Sequence, residues 1–85
     1  MKIKGEFILR EIGDEVVAVS IGDNDFDGII NLTSSGAFLW RLLEKGCAED
    51  DLVKALLDNY KIDETTARTD AKEFVQKLKN KDLLI

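Results

Sequence analysis

Apolar residues recur along the chain with two different periods. Between residues 6 and 32 they form short runs that favour strands. Phe7-Ile8-Leu9-Arg10-Glu11-Ile12 is rich in β-formers with partial alternation, and the Gly13-Asp14 that follows is a turn signal. Glu15-Val16-Val17-Ala18-Val19-Ser20-Ile21 is the clearest strand. A polar stretch bounded by Gly22 and Gly28 leads to a third, short run, Ile29-Ile30-Asn31-Leu32. Short links between consecutive strands make neighbours antiparallel, so the spacing predicts a three-stranded meander with residues 28–32 on its edge.

From residue 33 the period becomes helical. Thr33, Ser34 or Ser35 can cap a first helix carrying Ala37, Leu39, Trp40, Leu42 and Leu43, which Gly46 stops. Trp40 lies on the apolar face of that helix and is expected in the core. Glu49, Asp50 and Asp51 crowd the start of a second helix, where they complement its dipole, and Leu52, Val53, Leu56, Leu57 and Tyr60 follow. Asp63 can cap a third helix with the stripe Ala67, Ala71, Phe74, Val75 and Leu78. Leu83-Leu84-Ile85 is an apolar tail expected to dock on the core. The outline is α+β and winged helix-turn-helix-like, a three-stranded antiparallel sheet followed by three helices. No repeat or linker interrupts it, so residues 1–85 are expected to form a single domain.

Composition narrows the function. At 45% hydrophobic and 34% charged residues the chain is an ordinary soluble globular sequence. It has no His, no Pro and a single Cys, which excludes a Ser-His-Asp or Cys-His nucleophile, a zinc finger and a disulfide framework. No enzymatic activity, no cofactor and no metal are therefore expected, and one free thiol fits the cytoplasm. No stretch approaches the about 18 apolar residues of a membrane span. Twelve Lys and Arg against 17 Asp and Glu give a net charge of −5, which argues against the basic face that phosphate contacts need. Neither nucleic acid nor membrane is an expected partner.

Three local features carry candidate chemistry. Asp23-Asn24-Asp25-Phe26-Asp27-Gly28 matches the opening of a calcium-binding loop, but the twelfth position is Ser34, where a bidentate carboxylate is required, and the flanks favour strands. An acidic, solvated hairpin loop is the simpler reading. Cys47, beside the start of the second helix, has no His to serve as base. The third helix carries Arg68, Lys72, Gln76 and Lys79 within about 80° of arc, beside the apolar stripe, with Val75 about 20° away. Glu64 stands four residues before Arg68, the spacing of a helical ion pair.

The run from Ile30-Asn31-Leu32-Thr33 through Gly36, Trp40 and Gly46 resembles the PqqD-like family, in which a strand ends in Leu-Asn or similar, followed by a Thr cap, an aromatic-bearing helix and a terminal Gly. The resemblance continues through Asp51-Leu52-Val53, Leu56, Tyr60, Asp70 to Phe74 and Leu78, and ends in Leu83-Leu84, covering about residues 6–85. Cys47 and Ala48 depart from it, standing where members commonly have a Ser or Thr cap.

The resemblance implies a RiPP recognition element, a non-catalytic adaptor that captures the leader of a ribosomally synthesised precursor peptide. It implies presentation of that peptide to a radical SAM or other peptide-modifying enzyme. The leader would add as a strand along Gly28, Ile29, Ile30, Asn31 and Leu32, in a groove walled by Arg68, Lys72, Val75, Gln76 and Lys79 of the third helix. An edge strand is by itself a template for strand addition, whether by a leader or by a second copy making a homodimer. Gly28, Ile30 and Leu32 point one way and Ile29 and Asn31 the other, and either set can face the helices. The alternative function is an acidic winged-helix domain for transcription regulation or protein–protein interaction.

Overall fold

The first two strands are β1 (Glu6–Ile12) and β2 (Glu15–Ile21), joined at Gly13-Asp14, where Gly13 takes φ +62°. A glycine at the first central position is the preference of type II′ hairpins, whose twist matches that of the flanking strands. The third strand, β3 (Ile29–Leu32), pairs antiparallel with β2, giving the sheet order β1-β2-β3. Three helices follow: α1 (Ser34–Lys45), α2 (Glu49–Asn59) and α3 (Glu64–Asn80). This computed structural model describes residues 1–21 and 28–85.

Register decides which strand residues enter the core. Phe7 and Leu9 of β1, Val16 and Ala18 of β2, and Ile30 and Leu32 of β3 share the inner face. They meet Ala37, Leu39, Trp40 and Leu43 of α1, Leu52, Val53 and Leu56 of α2, and Ala67, Ala71, Val75 and Leu78 of α3. Trp40 is wholly enclosed, its ring edge-on to Phe7 with centroids 5.1 Å apart. Leu57, at the margin of the α2 stripe, is exposed.

Each helix boundary has an identifiable cause. The Thr33 hydroxyl accepts from the Gly36 N–H at 3.0 Å and caps α1. At the other end Gly46, at φ +94°, donates its N–H to the carbonyls of Leu42 and Leu43. Ala48 has no side-chain acceptor for α2, and Asp51 reaches back to accept the Ala48 N–H at 2.9 Å. The α3 helix ends in a Schellman motif: the Leu83 N–H donates to Leu78 and the Asp82 N–H to Lys79. Asp82 holds the left-handed position, φ +56°, that glycine usually fills, and its carboxylate meets Lys4 at 3.0 Å.

Beyond that cap, Leu83 is buried and the tail docks as expected, but it does so against the other end of the chain. Ile3 and Leu84 form an antiparallel bridge, Lys2 and Ile85 exchange both main-chain hydrogen bonds, and the Ile3 N–H donates to Leu43. Among the described residues no helix is long and apolar enough to cross a membrane.

Asp63 caps α3 by accepting the Thr66 N–H at 2.7 Å, and that main-chain bond lowers its pKa below the usual 3.8. A carboxyl with a depressed folded-state pKa stabilises above its unfolded value, and the contribution fades as pH falls through the folded one. Asp63→Asn keeps an acceptor without a titrating charge. It is expected to flatten the acid limb of the melting temperature from about pH 4 downward, measured by circular dichroism.

Candidate functional site

The Ser20 N–H donates to the Gly28 carbonyl at 3.4 Å, which sets the alternation of the β2–β3 ladder. In an antiparallel pair, residues two apart repeat the hydrogen-bonded position. With Ala18 opposite Ile30 and Val16 opposite Leu32, the main chains of Ile30 and Leu32 face β2. The N–H and C=O groups of Ile29 and Asn31 face the other way, off the edge of the sheet. The side chains divide by the same parity. Ile30 and Leu32 are buried against the helices; Ile29 and Asn31 are exposed on the outer face. The alternative that the sequence leaves open is thereby settled.

At the C-terminal end of β3 a hollow of about 280 Å³ opens between the start of α1 and the middle of α3. Its floor is apolar, made by Gly36, Leu39, Leu56 and Phe74; Thr33, Ser35, Asp70, Glu73 and Lys77 stand around it. Gly36 matters here because a Cβ on it would stand 3.4 Å from the Phe74 ring and 3.1 Å from the capping Thr33 hydroxyl. The volume falls just below the usual range of small-molecule sites and suits one large side chain.

Two flanks of α3 border the apolar stripe, and they look onto different surroundings. The hollow takes the flank of Asp70, Glu73, Phe74 and Lys77. Arg68, on the other flank, is drawn to the start of α2: its guanidinium donates to Asp50 at 3.4 Å and to Glu64 at 3.3 Å. The expected Glu64–Arg68 pair is thus formed. Lys72 and Lys79 are exposed, Gln76 donates to Asn80 at 3.0 Å, and Val75 is buried in the core. Phe74 belongs to the apolar stripe by its spacing, and the residue pattern does not single out Lys77. The available signal was angular, since Phe74 sits on the margin of the stripe away from Arg68.

The other two candidate features separate clearly. Asp23 to Asp27 of the acidic loop lie outside the described residues. Cys47 is half-buried, and its thiol is pushed above its ordinary pKa by burial first and by the Asp51 charge second, against a lowering influence from the N-terminal ammonium. It is held as the neutral thiol, the unreactive form.

The family model described as Coenzyme PQQ synthesis protein D (PqqD) matches residues 8–84. The chain belongs to the PqqD family. The match spans all three strands apart from the first residues of β1, all three helices and the docked tail. The solved structure of TbiB1 in complex with the TbiA(beta) leader peptide is similar to this PqqD-family chain over 99% of its length and 94% of TbiB1's. The two share 32% sequence identity and superpose with a TM-score of 0.76. No curated protein sequence matches.

Proposed function

We propose that this PqqD-family chain is a leader-peptide adaptor: it binds the leader of a ribosomally made precursor as a fourth strand on β3 and presents it to a modifying enzyme. The observation that carries the reading is the edge of β3, which no strand among the described residues covers, with the main-chain groups of Ile29 and Asn31 turned outward. It stands in a chain that superposes almost throughout on a leader-bound protein. Strand addition obtains affinity from main-chain hydrogen bonds and selectivity from pockets for alternate side chains. The hollow beside Phe74 is such a pocket, and it would take an apolar leader residue.

In this reading the domain does no chemistry, works in the cytoplasm and hands the peptide to a radical SAM or similar enzyme. Its binding surface centres on residues 28–32 and on the Phe74 and Lys77 flank of α3, while Lys72, Gln76 and Lys79, exposed on the other flank, supply further charge and polarity on the same helix. Ile30, Leu32 and Val75 contribute from beneath, as the packing that holds the edge and the helix in place. Arg68 is already engaged by two carboxylates and is the least available cation of the stripe.

The test is a heteronuclear NMR titration with a synthetic leader of the precursor encoded beside this chain. Shifts should concentrate on residues 28–32 and on α3. Shifts confined to residues 52–60, or no saturable binding, would refute the proposal. Reversing Lys72, Lys77 and Lys79 together to Glu should weaken an acidic leader by about 1–2 kcal/mol, or about five- to thirtyfold, since exposed pairs are individually weak. The loss should shrink at high salt.

A further inference from the structure

The hollow beside Phe74 is not electrically uniform. Of the α3 residues that line it, Asp70 and Glu73 precede Phe74 and Lys77 follows it, so the order along the helix is acid, aromatic ring, base. All four fall within about 100° of arc and share one side of the helix. The ion pairs among the described residues join Lys4 to Asp82 and Arg68 to Asp50 and Glu64. Asp70, Glu73 and Lys77 take part in none of these, and all three are exposed. Phe74 is half-buried, which leaves part of its ring uncovered.

The course of α3 gives that order a direction relative to β3. A Cβ on Gly36 would stand 3.4 Å from the Phe74 ring and 3.8 Å from Leu32, so Phe74 lies at the C-terminal end of β3. The chain then runs on to Leu83, whose carbonyl accepts the Lys4 N–H at 2.7 Å just before β1 begins. Glu6 pairs with Ile21, and Val19 with Ile29, so this is the end of the sheet at which β3 starts. The two elements therefore run in opposite directions. A strand added to β3 in the antiparallel sense, the slightly more stable ladder, runs with α3 and starts at its acidic end.

We infer that the hollow selects a leader carrying a basic residue, an apolar residue two positions later and an acidic residue two positions after that. This preference rests on strand addition at β3 and names the peptide that such addition takes. Alternate residues of a strand point to one side about 6.8 Å apart. Asp70 and Phe74 are about 6 Å apart along the helix, and Lys77 stands about 4.5 Å further on with a long side chain to cover the difference. The apolar residue covers the Phe74 ring, the basic one before it meets Asp70 and Glu73, and the acid after it meets Lys77. The opposite order would set like charges against each other at both ends, so repulsion adds to the discrimination.

The test is display of random linear peptides to the full chain, as wild type and as the charge-inverted variant Asp70→Lys, Glu73→Lys, Lys77→Glu. All three positions are exposed, and circular dichroism should show the variant folded. Wild type should enrich the order basic, apolar, acidic at alternate positions, and the variant should enrich the reverse. In calorimetric titration a peptide selected on wild type should bind at least about fivefold tighter than the same peptide with its two charged residues exchanged. High salt should close that gap. Peptides that lose binding to Asn31→Pro but show no charge order, or one order on both chains, overturn the inference and leave strand addition standing. If no peptide is enriched, or none depends on residue 31, strand addition falls and this preference falls with it.

Discussion

Replacing Trp40 with alanine should remove about 3–5 kcal/mol of stability, the usual cost of truncating a buried indole. For a domain of 85 residues the whole stability is about 4–13 kcal/mol, so this one change brings the chain near its unfolding threshold. The reason is position. Trp40 is fully enclosed where α1 crosses the sheet, and it holds Phe7 edge-on, so its loss opens a cavity between the two layers. Its indole N–H has no hydrogen-bond partner among the described residues, so no bond is lost along with the packing. A buried donor left unmade costs about 1–3 kcal/mol, which sets up a discriminating second variant. Trp40→Phe leaves a smaller cavity and removes that donor, and should cost clearly less than Trp40→Ala. Urea denaturation of the three proteins measures both differences. A Trp40→Ala protein with unchanged midpoint would contradict the packing described for α1.

The same packing explains how far the fold was legible beforehand. β2 and the caps at Thr33 and Asp63 are local events, each written in a few adjacent residues, and they appear where the pattern places them. The tail was expected on the core, but not its partner: Met1 to Lys4 is too short to signal a strand, and its bridge to Leu84 spans nearly the whole chain. Asp82 in the left-handed position also gave no warning, since nothing there is glycine.

The candidate site divides in the same way. That residues 28–32 form an edge followed from meander order. Which side chains face inward did not, because Ile29 and Ile30 are equally apolar and alternation cannot rank them. The basic stripe lies beside the core face of α3 by helical spacing alone. A helical wheel does not say which flank of a helix a neighbouring strand will meet, and it is Phe74 and Lys77 that the hollow at the end of β3 takes.

Peptide capture itself can be tested on a single main-chain atom. If the leader adds as a strand, its hydrogen bonds go to the outward groups of Ile29 and Asn31, while Ile30 and Leu32 keep β2 in place. Proline is tolerated on an edge strand where its missing N–H would have faced solvent. Asn31→Pro therefore deletes one donor to the leader and none to the sheet. Leader affinity should fall at least about tenfold, since the lost bond and the ring at the edge both oppose the added strand. That loss should be independent of the charge of the peptide and insensitive to salt, unlike the loss from reversing the lysines of α3. Ile30→Pro, one residue away, removes an N–H turned toward β2 and should lower the melting temperature outright. Calorimetric titration of the Asn31→Pro protein against the leader, with its melting curve beside that of Ile30→Pro, separates the two roles of the strand. An Asn31→Pro protein that binds the leader as tightly as wild type would mean that the peptide does not use this edge.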